Sequence, residues 1–497
     1  MFDFLKPNKS INLMIVGVGA HARRIYIPVI NRLAKKSFCN LVLGVDLAGQ
    51  RESVEEYLKQ KEINIEMHYV EKFDASIKLP PQIEEELTKV VKERNINGVV
   101  ISTEPISHKA YAKWALKLGL NILMDKPITT REDVSHDIKQ AQGIYDDYRE
   151  LLADYLSLQK KKKTIFSINV QRRYEAGFQK VFSLINEVRN RFNAPVTSIQ
   201  SMHSDGVWIF PNEIVEQDYH PYNTGYGKCS HSGYHILDID WQFYKAGLIK
   251  DKAADEFELF TSFLTSTGLL TQFNQKDYLK YFGKEYKSEM KRSDKELKGL
   301  YENYGEIDAF TTIRLLKENV NVCNVSVNLI HDGFSRRAWL KPNKDLYKGN
   351  GRVRHQYYNI EQGPFQCIQA YNYQSNDAHD ENTIDDYKFG GNNHFEINVF
   401  RNKRMFGDNE MALRSYNIKD LDTENRLIDS KLYNEVTKEF VILEFVNFIS
   451  GKIKREDVKS NITSHSMPAK FLSSIYQSNI LYRQQKNPLV RSSIDER

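Results

Sequence analysis

The stretch INLMIVGVGAHARRIYIPVI, residues 11–30, decides the fold. It begins with a continuous apolar run over 11–16, the pattern of a parallel strand that is covered on both faces. Gly17, Gly19 and Ala22 follow in G-x-G-x-x-A spacing. The first glycine permits the tight turn, the second lets the backbone approach a pyrophosphate, and the small third residue lets the helix pack on the strand. The stretch therefore predicts a strand, a phosphate-binding turn and a helix.

Residues around this turn predict a dinucleotide site. Ala20 and His21 lie inside the turn, where the helix N-terminus offers N–H donors to phosphate. A second strand, CNLVLGVD, ends in Asp46 at the spacing of the acid that hydrogen-bonds an adenosine ribose. Its carboxylate would repel a 2′-phosphate, which favours NAD. Arg51 follows closely enough to leave NADP open, and an ordinary strand-end role for Asp46 is the alternative.

Two later segments continue the strand–helix alternation. INGVVISTEP reads as a buried strand that ends in Ser102 and Thr103, and the helical SHKAYAKWALKLG follows it. NILMDKP is a short strand that ends just before Lys126, where Pro127 fixes the turn. Alternation of this kind predicts a doubly wound parallel sheet whose ligands gather beyond the carboxyl ends of the strands. Lys126 is therefore expected at the cofactor crevice.

A second stretch of interest, SHSGYHILDID over 230–240, places His231 and His235 four residues apart. Histidines at this spacing share a helix face and could bind zinc. However, HSGYH lacks the glutamate of HExxH, and His203 or His220 would have to supply a third ligand. A histidine has an unperturbed pKa near 6.5 and can also accept a hydroxyl proton near neutral pH. Proton transfer is the favoured interpretation, and no metal is predicted.

Three segments together resemble the Gfo/Idh/MocA family, which includes glucose–fructose oxidoreductase and inositol dehydrogenase: GVGAHARRIYIPVI, ISTEPISHKAYAKWALKLGLNILMDKPIT and GYHILD. The resemblance covers about residues 11–130 well and 165–240 moderately. Thr103 and His108 match the family's Thr-Pro-type strand end and its following histidine. Asp125 and Lys126 match its E-K-P segment, with aspartate in place of glutamate. The resemblance implies that these residues line the NAD site.

The same resemblance implies roles in catalysis. Lys126 would be an electrostatic clamp and proton donor, and His235, the histidine of D-x-G-x-H, would be the acid/base. The alternative for His235 is a satisfied, half-buried histidine at a domain junction. His231 stands where the family has aspartate: it binds a different substrate group, replaces the aspartate as base, or marks lost catalysis. Arg172 and Arg173 match an arginine-containing turn that binds substrate, with a surface pair as the alternative.

The expected architecture is α/β with two domains, as the length of 497 residues suggests. Residues 1–130 form a Rossmann doubly wound parallel sheet. The resemblance implies that residues 131–497 form an α/β domain with a large open, mainly antiparallel sheet, and that the protein assembles into homodimers or homotetramers. Three insertions are expected: a polar helix near 135–163, a charged, helix-like segment near 251–318, and a loop or irregular strands near 342–386. The resemblance also implies C-terminal helices over 431–483 that pack back on the domain.

Composition excludes several classes of function. Lys and Arg number 70 against 65 Asp and Glu, a nearly balanced charge without a basic stripe, so no nucleic-acid partner is expected. No apolar run reaches the length of a membrane span, and the four scattered cysteines form no CxxC pair. A cytoplasmic protein without a membrane partner is predicted.

The predicted function is an NAD(P)-dependent oxidoreductase that acts on a hydroxyl or keto group of a sugar, polyol or nucleotide-linked sugar. Two alternatives stay open. One is an NAD-dependent enzyme that cleaves glycosides by transient oxidation. The other is a non-catalytic regulatory protein that binds dinucleotide or sugar, to which the His231 departure gives weight.

Overall fold

A computed structural model describes residues 10–74, 78–335, 352–375, 387–391, 393–407, 409–421 and 433–495. The chain divides into two compact units, each assembled from segments far apart in sequence. The first unit comprises 1–130, 145–175 and 424–466, and the second comprises 131–144, 176–423 and 467–497. Within the described residues, no helix combines the length and the apolar character needed to cross a bilayer.

The first unit contains a six-stranded sheet in the order β3-β2-β1-β4-β5-β6, and every pair in it is parallel. This confirms the predicted doubly wound sheet. One turn of π-helix over Ala22–Tyr26 leads directly into the first α-helix. The elements are β1 Asn12–Val16, α1 Ile27–Lys35, β2 Asn40–Leu47, α2 Arg51–Gln60, β3 Glu66–Val70, α3 Pro81–Glu93, β4 Gly98–Ile101, α4 His108–Lys117, β5 Asn121–Met124, α5 Ile138–Gln159, β6 Phe166–Ile168 and α14 Tyr433–Ile449.

The core of the first unit explains why distant segments join it. Leu13 and Ile15 of β1 are fully buried, and Val441 and Phe445 of α14 pack in the same cluster. The predicted boundary at residue 130 coincides with the end of the unit's first segment. The sequence analysis nevertheless placed β6 and α14 in the second domain. Both belong to the first unit because β6 extends the parallel sheet and α14 buries its apolar side chains against it.

The second unit contains a nine-stranded sheet in the order β14-β13-β12-β11-β7-β10-β9-β8-β15. Only β7 and β10 are parallel neighbours, so the predicted mainly antiparallel sheet is confirmed. The elements are α6 Ala176–Phe192, β7 Ser198–Gly206, α7 Pro211–Glu216, α8 Tyr234–Ala246, β8 Glu256–Thr265, α9 Ser266–Gln272, α10 Gln275–Glu289, α11 Asp294–Tyr301, β9 Glu306–Lys317, β10 Val320–Ile330, β11 Val353–Gln362, β12 Gln366–Ser375, β13 His394–Arg401, α12 Lys403–Phe406, β14 Leu413–Asn417, α13 Ile418–Leu421, α15 Ser466–Arg483 and β15 Val490–Ser493.

Helices cover one face of this sheet. Phe178 of α6 and Phe243 of α8 pack edge-on or tilted against Tyr358 of β11, with ring centroids 5.3 and 5.6 Å away. Along β11 buried and partly exposed side chains alternate, so Tyr357 and Asn359 belong to the other face. One face therefore forms the core and the other is open.

Two expectations about insertions are wrong. Residues 251–318 are not simply helical, because β8 and β9 bound the helices α9 to α11. In β8, Phe257 and Leu259 are fully buried while the charged residues alternate with them, and that period of two belongs to a strand. Within 342–386, the described part is a regular antiparallel hairpin of β11 and β12 rather than a loop. Residues 342–351 and 376–386 lie outside the described residues.

Candidate cofactor and substrate sites

The glycine-rich turn at the end of β1 uses its two glycines differently. Gly17 has a φ of +86°, and a Cβ on it would lie 2.6 Å from the carbonyl oxygen of Ser102. Its N–H donates to the carbonyl of Val45 at 2.9 Å. A Cβ on Gly19 would meet nothing within 4 Å. Gly17 is therefore required for the fold of the turn, whereas Gly19 leaves an open approach to the backbone.

Asp46 lies beside this turn. One carboxylate oxygen accepts from the N–H of Val18 at 2.8 Å, and the other accepts from Leu47 at 2.7 Å. Arg51 is exposed, and its guanidinium lies 4.2 Å from the ring centroid of Tyr69 on the neighbouring strand. Backbone N–H groups therefore hold Asp46, the residue predicted to bind the ribose, in one orientation. Arg51 packs over the ring of Tyr69.

Asp125 is the centre of a polar cluster at the ends of β1, β4, β5 and β6, here called the Asp125 cluster. Its carboxylate accepts from Tyr26 at 2.7 Å, from Asn169 at 3.1 Å and from Ser102 at 3.3 Å, and His21 lies 3.7 Å away. Burial alone would raise the pKa of this carboxyl, but the neighbouring polar and charged groups outweigh it and lower the pKa. Sequence reasoning missed Tyr26 and Asn169.

His21 is held neutral in this environment. Burial lowers its pKa to about 3, against the opposing effect of Asp125. The cations Lys126 and Lys438 lower it further. Lys438 is a buried residue of α14, so the C-terminal helix brings a positive charge to the glycine-rich turn that sequence reasoning also missed.

His108 connects two strand-end loops rather than pointing into open space. Its ring nitrogens lie 2.9 Å from the carbonyl oxygen of Pro127 and 3.1 Å from that of Thr103. The side chain is fully buried, and burial lowers its pKa. This arrangement indicates that His108 positions the loop that carries Lys126.

The arginine pair divides into two environments. Arg173 donates to the carbonyl of Lys459 at 2.6 Å, and to the hydroxyl and carbonyl of Ser464 at 2.7 and 3.1 Å. These bonds fasten a loop of the first unit and indicate a structural role. Arg172 and Arg173 are each only 3% exposed, so the interpretation as a surface pair is wrong. Arg172 stays a candidate for substrate binding.

In the second unit, His231 lies in a turn of π-helix over Cys229–Gly233 that leads into α8. Its ring is surrounded by aromatic side chains, with centroids 4.7 Å from His220, 5.4 Å from Tyr226 and 5.6 Å from Tyr222. His235 follows in the first turn of α8, and both histidines are buried. Both lie in what we call the histidine turn, residues 229–235.

A buried carboxyl group anchors the histidine turn. Glu306 accepts from the N–H of Cys229 at 2.7 Å, from Tyr476 at 3.0 Å and from Ser135 at 3.0 Å. Tyr476 also shares a hydrogen bond of 2.8 Å with Ser230. Burial raises the pKa of Glu306. Segments from three other parts of the sequence therefore hold the turn, and none of them carried a sequence motif.

A second buried carboxylate, Asp205, lies at the end of β7 in what we call the Asp205 cluster. It accepts from Lys228 at 2.7 Å and from Arg352, while His203 lies 3.2 Å from the Lys228 ammonium. Burial would raise the pKa of Asp205, but the cations Arg352 and Lys228 hold it well below its usual range. Burial lowers the pKa of Lys228, although Asp205 opposes this.

The surroundings of the histidine turn bear on the zinc alternative. His231 has one histidine and two tyrosines around its ring. Across the part of the chain that the structure describes, no group of three His, Cys, Asp or Glu side chains is arranged to hold a metal ion.

Sequence comparison gives the class of protein. Residues 11–146 match the model of the Gfo/Idh/MocA family, described as an oxidoreductase family with an NAD-binding Rossmann fold. Residues 11–146, which hold the predicted dinucleotide site, therefore resemble that family. The match confirms the predicted resemblance, the oxidoreductase class and NAD as the cofactor. A comparison with curated proteins found no match.

Solved structures of NAD-binding enzymes share the fold of this chain. Levoglucosan dehydrogenase with NADH and L-sorbose superposes with a TM-score of 0.58 at 12% identity, covering 98% of this chain and all of that one. An oxidoreductase from Agrobacterium radiobacter with NAD+, L-tartaric acid and magnesium superposes with a TM-score of 0.56 at 10% sequence identity, and the match covers 98% of each chain. The WlbA dehydrogenase from Bordetella pertussis with NADH and UDP-GlcNAcA superposes with a TM-score of 0.54 at 12% sequence identity, and the match covers 99% of each chain.

Proposed function

We propose that this protein transfers a hydride between nicotinamide cofactor and a hydroxyl or keto group of a sugar, a polyol or a sugar nucleotide. The observation that carries the proposal is the open backbone at Gly19 beside the fixed carboxylate of Asp46, within a domain that matches an NAD-binding oxidoreductase family. Structures with the same fold were crystallised with L-sorbose and with UDP-GlcNAcA, which supports the substrate class.

The residues present fit NAD. The turn at Gly17 and Gly19 leads into a helical segment whose N–H groups suit a pyrophosphate. Asp46 offers carboxylate oxygens for ribose hydroxyls and would repel a 2′-phosphate. Arg51 could partly offset that repulsion. We therefore propose NAD as the preferred cofactor, with weaker use of NADP.

When bound, NAD+ supplies the acceptor for the hydride that leaves the alcohol carbon. The proposed role of Lys126 is to stabilise the developing alkoxide through its ammonium group. Asp125, whose carboxyl has a lowered pKa, lies within electrostatic reach of Lys126 and favours the charged form of the lysine. His235 takes the hydroxyl proton at its imidazole, so that the carbonyl forms without free hydroxide.

The proposed role of His231 is contact with a polar group of the substrate. Its aromatic surroundings support this role, because a side chain packed among three rings is held in place without a permanent charge. We also propose that the protein forms a homodimer or homotetramer through the open face of the nine-stranded sheet, which light scattering after gel filtration will test. The cytoplasmic location stays a prediction.

Cofactor titration is the first experiment. NADH fluorescence should report binding that is tighter than that of NADPH. Gly19→Ala should weaken NADH binding about tenfold or more, since the added methyl blocks the approach of the pyrophosphate. The melting temperature should not fall, because the methyl meets no neighbour. Gly299→Ala, another position without a Cβ contact but in α11 of the second unit, is the matched control. Absence of NADH binding at millimolar concentration would contradict the proposal.

Turnover on a panel of sugars, polyols and sugar nucleotides then tests the assigned roles. Lys126→Ala and His235→Ala should each lower kcat about 10²- to 10⁴-fold, the usual range for a lost proton-transfer group. NADH binding should persist in the His235 variant. A wild-type protein that binds NADH but oxidises none of these compounds would support the non-catalytic alternative instead.

A further inference from the structure

The second unit contains a cavity of about 490 Å³ beside the ends of β7 and β10, here called the insert pocket. Helices α9 and α10, which belong to the 251–318 insertion, form much of its wall. Its aromatic side chains are Trp208, Phe273, Tyr278 and Tyr281, and His331 and Asp332 contribute polar atoms. This volume falls within the range of roughly 300 to 1,000 Å³ that is typical of small-molecule sites.

The aromatic wall is pre-organised. Tyr278 is 3% exposed and packs edge-on against Phe273 and Phe210, with centroids 4.4 and 5.1 Å away. Trp208, which follows β7, packs against Phe282 of α10, with ring centroids 5.7 Å apart. Asn274 caps α10 by accepting from backbone N–H groups of its first turn. A wall that is fixed in this way loses little conformational entropy when it binds a ligand.

The charges around the cavity disfavour an anionic ligand. Neither lysine nor arginine occurs among the described residues that line it. Burial lowers the pKa of His331 to about 3, so its ring is neutral, while desolvation raises the pKa of Asp332 to about 6 and leaves it ionised above that pH. The nearby cations Lys228 and Arg352 both donate to Asp205. Among the described residues of this wall, a phosphate would therefore meet a carboxylate and no lysine or arginine.

The insert pocket is connected to the histidine turn within the same unit. Its wall residue His331 is hydrogen-bonded through Nδ1 to the hydroxyl of Tyr222. The ring of Tyr222 in turn packs edge-on against His231, with centroids 5.6 Å apart. A ligand in the pocket would therefore lie one side chain away from the ring that packs on His231.

We propose that the insert pocket binds the uncharged aromatic aglycone of a glycoside whose sugar is the group that the enzyme oxidises. The inference rests on the proposed function and specifies its substrate class. Aromatic rings favour an aryl group through offset or edge-on stacking. The absence of cations among the described lining residues argues against the diphosphate of a sugar nucleotide.

Calorimetric titration with matched probes tests this proposal, with and without saturating NADH. The probes are the phenyl and methyl α- and β-glycosides of glucose, galactose and xylose, together with UDP-glucose. At least one phenyl glycoside should bind about tenfold more tightly than its methyl counterpart, as expected for a buried ring. Gln272→Trp, at an exposed position on the cavity wall, should abolish that advantage and leave methyl glycoside binding unchanged. Thr271→Trp, exposed on the same helix but outside the wall, should retain it.

The outcomes separate the two proposals. Equal binding of phenyl and methyl glycosides, or no binding of any phenyl glycoside, overturns the pocket assignment while NADH binding and turnover can still stand. Tighter binding of UDP-glucose that Gln272→Trp removes overturns the uncharged class. A phenyl preference that Gln272→Trp removes, in a protein that binds no NADH, supports the pocket and contradicts the hydride-transfer function.

Discussion

Asp125 in the first unit and Asp205 in the second are buried carboxylates that reach a lowered pKa in different ways. The carboxylate of Asp125 accepts hydrogen bonds from the neutral side chains of Tyr26, Asn169 and Ser102. The carboxylate of Asp205 accepts from the cations Lys228 and Arg352. Burial opposes ionisation of Asp125, and the interaction with His21, the hydrogen bond from Tyr26 and the charge of Lys126 together lower its pKa. For Asp205 the charges of Arg352 and Lys228, which hydrogen-bond to it directly, lower the pKa and cancel the carboxylate charge.

This difference separates a functional cluster from a structural one. The remaining negative charge of Asp125 can act on its neighbour Lys126, which is the residue assigned to the reacting oxygen. The charge of Asp205 is balanced within its own cluster, and its effect is to hold Lys228, one residue before the histidine turn, against β7. Under the proposed function, the same residue type therefore supports the reacting lysine in one unit and the internal structure in the other.

Asp205→Asn should produce the largest change in stability. It leaves Lys228 and Arg352 buried without their counter-charge, which typically costs about 3–5 kcal/mol of unfolding free energy. Urea unfolding followed by circular dichroism measures the loss. Glu66→Gln, which breaks an ion pair with Arg94 at the surface of the first unit, is the control and should leave the midpoint unchanged. Equal midpoints for the two variants would contradict the structural role of the Asp205 cluster.

Asp125→Asn should cost less stability than Asp205→Asn. An asparagine oxygen can still accept from Tyr26 and Asn169, and its amide group can donate to Ser102, so about 1–2 kcal/mol is expected. Turnover should fall more than stability, because Lys126 loses a negative neighbour. The measurement pairs urea unfolding with kcat on the best substrate. A variant with full activity would show that the charge of Asp125 has no part in the reaction.

The sequence predicted those features of the fold that depend on local spacing. Gly17, Gly19 and Asp46 lie within thirty residues of one another, and the geometry of the turn follows from which positions tolerate a Cβ. The pair His231 and His235 could be placed together because one helical turn separates them. The alternation of apolar strands and helices likewise indicated the parallel sheet, whereas the open antiparallel sheet was expected only from the family resemblance.

The parts that could not be predicted depend on contacts between distant residues. Asn169 donates to Tyr26 across 143 positions, and Arg352 donates to Asp205 across 147. No local sequence pattern identifies such partners, because many different polar side chains could make the same hydrogen bond. The strand β8 was misread since its charged residues lie on the open face and hide the alternation of Phe257 and Leu259. The insert pocket arises in the same way, from helices that only the folded chain brings to β7 and β10.

The pH dependence of stability sharpens the comparison further. Asp205, with its lowered pKa, contributes stability that is lost only as the pH falls below the unfolded value near 3.8. His331 behaves differently, because burial lowers its pKa from 6.5 to about 3. Between these values the unfolded chain binds a proton that the folded chain does not, so stability falls as the pH falls from 6.5 toward 3.

His331→Gln should therefore flatten the loss of stability between about pH 6 and 4, by at most about 1.4 kcal/mol per pH unit. Glutamine can keep a hydrogen bond with Tyr222 but does not titrate. The difference in slope between wild type and variant therefore measures the proton uptake of His331 alone. Urea midpoints at pH 7, 5.5 and 4 measure the slope, with His68→Gln at a partly exposed position as the control. An unchanged slope would show that His331 titrates in the folded protein near its ordinary pKa of 6.5. The wall of the insert pocket would then gain a positive charge below that pH and would suit an anionic ligand there, so this titration tests the charge argument independently of any substrate.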